Sequence, residues 1–188
     1  NPAARSRCFA NNSLLESLYS LDMLPKDDTQ IYELIASCSE HGEVLLANGS
    51  RIYLARKWFR QGETQKAIGF LEKYLPEIEA TKYPRLIGEV HSMLADYKLQ
   101  SGAIAQAEYH ANIAVKQSAS IPFSKSLVVG EKTLYEIAVR RGCDQPFGRR
   151  GVGIQASIRF QHAIGLRAGE VPALSAILGQ TPDRKSVV

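Results

Sequence analysis

The chain has 188 residues, 45% hydrophobic and 22% charged, with 23 basic against 19 acidic side chains and a formal charge of +4. That length and balance suit one globular domain or a short repeat array and exclude a disordered chain, and no apolar run reaches the roughly 18 residues of a membrane span. Three cysteines and four histidines without paired-ligand spacing exclude a disulfide scaffold and argue against a structural metal, so Cys8, Cys38 and Cys143 read as isolated small hydrophobes.

Asn1–Arg7 matches neither an initiator segment nor the apolar stretch of a signal peptide and reads as a trimmed N-terminus. Beyond it, apolar residues at helical spacing predict elements over Ser13–Leu24, Thr29–Asn48, Ser50–Arg60, Thr64–Ala80, Pro84–Gln100, Ala103–Ser118 and Pro122–Arg141. Asp27 and Asp28 precede the second element, where negative charge suits a helix N-terminus. In the third, Ile52, Leu54, Ala55, Trp58 and Phe59 make an apolar stripe that Gly62 ends, glycine being the residue that takes a left-handed cap without a Cβ penalty. The fourth carries Ala67, Ile68, Leu71, Tyr74, Leu75 and Ile78 on one face, and the sixth carries Ala107, Ala111 and Ala114, small enough for two helices to approach closely. Pro84 and Pro122 stand where the fifth and seventh elements begin, a position proline tolerates. Strand-type alternation is absent, so the predicted body is all-α.

The elements repeat at an offset of 40 residues. Gly62, Gly102 and Gly142 share that spacing, each with a leucine eight residues earlier: Leu54, Leu94 and Leu134. Ala55 and Ala95 follow two of the leucines, and Ala67 and Ala107 follow two of the glycines by five residues. Gly, Leu and Ala shared at one period indicate stacked helical hairpins, with Leu54, Ala55, Ala67, Leu94, Ala95, Ala107 and Leu134 buried between copies.

Leu54-Ala55, Gly62, Ala67 and Leu71, then Leu94-Ala95, Gly102, Ala107 and Ala111, resemble tetratricopeptide (TPR) repeats over about Ser50 to Gly142. The period of 40 departs from that family's usual length of about 34, and its closing proline is missing. The resemblance implies a TPR-like α-solenoid of antiparallel helix pairs over residues 1–142. Residues 77–86 (EIEATKYPRL), 94–102 (LADYKLQSG) and 132–142 (KTLYEIAVRRG) further resemble the sensory regions placed before GGDEF domains in bacterial signalling proteins. The cyclase motif itself is not present, so this resemblance implies an input part of a signalling protein.

Residues 143–188 break the pattern. Pro146, Gly148, Gly151 and Gly153 oppose a continuous helix, all eight tyrosines precede Glu136, and six basic residues stand against three acidic ones. The tail is expected to be a weakly ordered or capping segment, with a helix over Gln155–Leu166 as the capping element.

No nucleophile elbow, phosphate-binding loop or paired-carboxylate site occurs. His91, five residues from Asp96, has poor geometry for a relay and reads as a structural histidine. Tyr53, Trp58, Phe59, Tyr74, Tyr97 and Tyr109 read as packing between helices, with Trp58 in the core. Arg149–Arg150 is too short for a nucleic-acid-binding stripe.

The expected function is therefore a non-catalytic module that needs no cofactor. Its partner would be a protein, a peptide or another domain of the same protein, with self-association into a structural scaffold as the competing reading. Such a soluble domain would be periplasmic in an exported sensor and cytoplasmic otherwise. The Leu/Gly register places matching groove positions on the first helix of each copy: Ile52, Arg56, Phe59 and Arg60; Ser92, Asp96, Leu99 and Gln100; Lys132, Glu136, Val139 and Arg140. Four cations separated by Asp96 and Glu136, with Phe59 as apolar anchor, suit a segment that carries acidic groups around a hydrophobic residue.

Overall fold

Every regular element is an α-helix in the computed structural model, which describes residues 2–141. The helices are α1 (Pro2–Ser20), α2 (Thr29–Glu40), α3 (Val44–Arg60), α4 (Thr64–Ala80), α5 (Pro84–Gln100), α6 (Ile104–Ser118) and α7 (Lys125–Arg140). The fold is all-α, and its helix packing fits an α-solenoid or bundle. Each helix packs on the next in the chain. The odd-numbered helices α1, α3, α5 and α7 also pack closely on one another in series, whereas the even-numbered helices stand further apart, α2 and α4 meeting through the edge-to-face rings of Tyr32 and Phe70.

A backbone device spaces the helices. Asp22, Gly42, Gly62, Lys82 and Gly102 all have positive φ and stand twenty residues apart, and Phe123 follows one residue out of that register. One left-handed residue after a helix satisfies its last carbonyls and turns the chain back. After α3, the Gly62 amide donates to Phe59 O and the Glu63 amide to Trp58 O; Gly102 and Ala103 repeat this on Leu99 and Lys98. Glycine carries no strain at this φ, but Asp22, Lys82 and Phe123 do.

The main core runs through α1 to α5. Ile31, Leu54, Trp58, Leu71, Ile78, Val90 and Leu94 are almost wholly inaccessible, and Ala55, Ala67, Ala95, Ala107, Ala111 and Ala114 are fully buried at helix contacts. Two glycines permit closer approaches still. A Cβ on Gly88 would come 2.5 Å from Ser118 Oγ, and one on Gly130 would come 3.2 Å from the Ala111 carbonyl oxygen.

The fourth and fifth predicted elements coincide with α4 and α5, and Trp58 and the six repeat-interface residues from Leu54 to Ala107 are buried. Other expectations require correction. α1 begins at Pro2, not Ser13. The break between α2 and α3 falls at His41–Glu43 around Gly42, and α3 runs unbroken through Gly49. Gly49 serves packing: its missing Cβ makes room for Asn12, which donates to Leu46 O at 2.8 Å. α7 starts at Lys125, capped by Ser124 Oγ, so Pro122 lies in the preceding turn. Leu134 is only half-buried and Tyr109 is 61% exposed, because no later helix among the described residues covers them. Cys8 and Cys38 are not isolated: they form a buried disulfide, Cα atoms 5.7 Å apart, that ties α1 to α2. Gly142 and the expectations for residues 143–188, including the helix over residues 155–166, lie outside the described residues.

Candidate binding face on the odd-numbered helices

α3 lies between α1 and α5 in the odd-numbered series, so its side chains meet residues of both. The Arg60 guanidinium sits 3.6 Å from the centre of the Tyr19 ring and donates to Tyr19 O at 2.8 Å and to Asp22 Oδ1 at 3.0 Å. One turn earlier, Arg56 donates to Glu89 Oε1 at 2.7 Å and lies 5.4 and 5.5 Å from the rings of Tyr19 and Tyr53. Phe59 stacks on Tyr97 with ring centres 3.8 Å apart and planes 12° from parallel. The outcome is a partly exposed face of aromatic rings crossed by two guanidinium groups, an arrangement in which arginine gains both cation–π and hydrogen-bonding stabilisation.

Burial keeps Tyr53 and Tyr97 neutral. Burial pushes the Tyr53 hydroxyl up to about 12, with Glu16 and Glu89 adding to the rise against the opposing charge of Arg56. Burial likewise raises Tyr97. Both phenols therefore keep their protons at any physiological pH.

Beside Arg60 the face opens into a cavity of about 640 Å³, lined by Ser20, Asp22, Leu24, Lys26, Lys57, Arg60 and Gln61. Lys57 forms a fixed part of its wall. Its ammonium donates to Lys26 O at 2.7 Å and to Asp28 Oδ1 at 2.6 Å, and Asp28 also accepts from Trp58 Nε1 at 2.8 Å. With Lys57 paired to Asp28 and Arg60 to Asp22, three cations stand against two acids around this space, a small positive excess.

The predicted groove residues thus separate into groups. Arg56, Phe59 and Arg60 come together, while Ile52 is buried in the core. Ser92 is also buried, and its hydroxyl donates to Glu89 O within its own helix, which removes it from any exposed groove. Asp96 is half-buried and accepts from Gln100 Nε2 at 3.2 Å; Leu99 is buried. On α7, Lys132 pairs with Glu136 at 3.4 Å, Val139 is 48% exposed, and Arg140 donates to Leu99 O at 3.1 Å, closing the end of α5. These α7 residues are bonded to one another or to the end of α5, not to the α3 cluster.

Sequence reasoning missed Tyr19, Glu89 and the cavity. A signal for Tyr19 did exist, since it stands 40 residues before Phe59, and Glu16 stands 40 before Arg56. Carrying the register back into α1 finds both. Glu89 carries no such mark, because it reaches Arg56 across the α3–α5 contact.

Comparisons with protein-family models, curated proteins and solved structures return no match for this chain. The described helices are not long and apolar enough to cross a membrane.

Proposed function

We propose that the chain is a non-catalytic, TPR-like module that binds an acidic, hydrophobic-anchored segment of a protein or peptide on the α1–α3–α5 face, as the regulatory input part of a bacterial signalling protein. The observation that carries this reading is the convergence of Arg56, Phe59 and Arg60 with Tyr19, Tyr53 and Tyr97, next to a cavity lined by Lys26, Lys57 and Arg60. Arginine and aromatic side chains held by neighbouring rings lose little rotamer freedom on binding, which is why such residues dominate interface energetics. The partner's carboxylates would compete with Asp22 for Arg60, and that exchange costs little because Asp22 is largely exposed.

The Cys8–Cys38 disulfide supports the exported form of this reading, since such bonds persist in oxidising compartments such as the periplasm.

The test uses the full chain on an array of 12-residue peptides in which Asp and Glu flank one Leu or Phe, beside matched arrays with Lys or Ser flanks. Preference for the acidic set is expected, weakened at least tenfold by Phe59→Ala and by the Arg56→Glu/Arg60→Glu pair. Equal binding to all sets, or unchanged binding in both variants, would remove the proposal. The competing scaffold reading is favoured by one observation, the exposure of Tyr135 (58%) and Val139 on α7. Sedimentation showing a stable oligomer abolished by Tyr135→Lys would support it.

A further inference from the structure

Between α4, α5 and α6, away from the binding face, two histidines are buried against each other. His91 of α5 is fully inaccessible and His110 of α6 nearly so. Their Nδ1 atoms lie 2.9 Å apart, and His91 Nε2 lies 3.2 Å from Glu79 Oε1 of α4. Chemistry fixes where the protons sit. A carboxylate only accepts, so His91 carries its proton on Nε2 and offers the Nδ1 lone pair, and His110 must then donate through Nδ1–H. Glu79, His91 and His110 form a directed chain across three helices.

We propose that this chain is an acid-released latch that fastens α6 to the α4–α5 pair, closed while both imidazoles are neutral. A second proton on His91 goes to Nδ1, which buries an imidazolium and obliges His110 to shift its own proton to Nε2 in order to accept; with both rings protonated, two Nδ1–H groups meet head-on and no bond remains. A proton on His110 Nε2 would place an imidazolium in a buried site near another cation. The groups facing the pair are Glu79 and Glu72 from α4, Lys98 from α5 and Tyr109 from α6. Lys98 is itself buried and held by Glu72 at 2.6 Å and by Gln106 Oε1 at 2.8 Å. α3 and α7 also pack on α5, and α7 carries the buried Glu131. Burial, then the neighbouring His91 and Lys98, pushes His110 down to about 4; burial also lowers His91 against the pull of Glu79.

The direction of the pH effect follows. Unfolded imidazoles take up protons near 6.5 while the closed latch does not, so the closed form is fully favoured above that value and progressively lost below it. For His110 alone, linkage implies that the closed-to-open ratio falls roughly 50-fold between pH 7 and pH 4.5.

The test is hydrogen exchange on the full chain at pH 7 and pH 4.5, corrected for intrinsic exchange rates, in wild type and in the His91→Phe/His110→Phe variant. Protection of α6 is expected to fall on the order of 50-fold more in wild type than in the variant. An equal fall in both overturns the proposal. Titration of the histidine Cε1–H resonances in wild type keeps the test open if the variant fails to fold. His110 should then titrate near 4 and His91 below its ordinary value, and an ordinary value for His110 overturns the latch.

Discussion

Individual side chains in this molecule are placed by what surrounds them, and two sites make that measurable. Lys57 is buried with Asp28 as its counter-ion, and Trp58 donates to the same carboxylate. Asp28→Asn leaves a buried ammonium without its negative partner and should cost about 3 kcal/mol in urea unfolding at pH 7. Adding Lys57→Met should recover part of that loss, because the double change removes the stranded charge. Burial pushes the Asp28 carboxyl up, but hydrogen bonds from Lys57 and Trp58, with the charge of Lys57, outweigh it and hold the group below 3.8. Its contribution is therefore complete above that value and is lost as pH falls through the lower folded value. Glycines supply the second contrast. A Cβ at Gly130 would press on Val115 at 3.0 Å and on the Ala111 carbonyl at 3.2 Å, so Gly130→Ala should destabilise by ~1–3 kcal/mol. Gly69 sits in α4 with open space for 4 Å around the place a methyl group would take, and Gly69→Ala should stabilise by ~0.5–1 kcal/mol. Urea midpoints shifting in the same direction for both would contradict these assignments of the helix contacts.

At the scale of elements, α1 is the least buried helix, with only Ala4, Cys8 and Leu15 inaccessible. The disulfide to Cys38 and the hydrogen bonds of Asn12 to α3 supply what its apolar face does not. Cys8 and Cys38 are 30 residues apart. Reduction, or Cys8→Ser/Cys38→Ser, should lower stability by about 2–4 kcal/mol. A thermal midpoint unchanged by dithiothreitol would show that α1 is held by packing alone. The reading of elements from sequence worked where local chemistry was unambiguous. Pro84 opens α5, Gly62 and Gly102 mark left-handed turns, and the alanines of α4 and α6 mark close contacts. It failed where one residue type serves two purposes: Gly42 turns the chain while Gly49 makes room for Asn12, and neither role is visible without the neighbour. Asp22, Lys82 and Phe123 take the left-handed conformation without glycine, which hid half of the left-handed turns. Pairings across helices were equally hidden. Cys8 with Cys38, His91 with His110 and Arg56 with Glu89 depend on helix register in three dimensions, and no local pattern encodes it. Part of the proposed binding face was legible because Arg56, Phe59 and Arg60 lie on one helix; the rings of Tyr19 and Tyr97 that hold them come from two others.

Across the described helices, contacts are made mainly with sequence neighbours and along the odd-numbered series, so stability is distributed unevenly from one end to the other. α5 is the best buried: twelve of its seventeen residues are inaccessible, enclosed by α3, α4, α6 and α7. α1 touches only α2 and α3 among the described helices. In an assembly built on neighbour contacts, a terminal helix can detach at the cost of its own interface, whereas exposing a central helix requires disrupting the packing on several sides. Native-state hydrogen exchange at pH 7 should therefore show α5 amides opening only with global unfolding and α1 amides opening at a lower free energy. After reduction of the Cys8–Cys38 bond, α1 should lose further protection while α5 changes little, because the two helices share no direct contact. Equal loss of protection in α1 and α5 on reduction would mean that the helices unfold as one cooperative unit. In that case the disulfide would stabilise the whole set of helices, and the α1–α3–α5 face would be rigid from end to end.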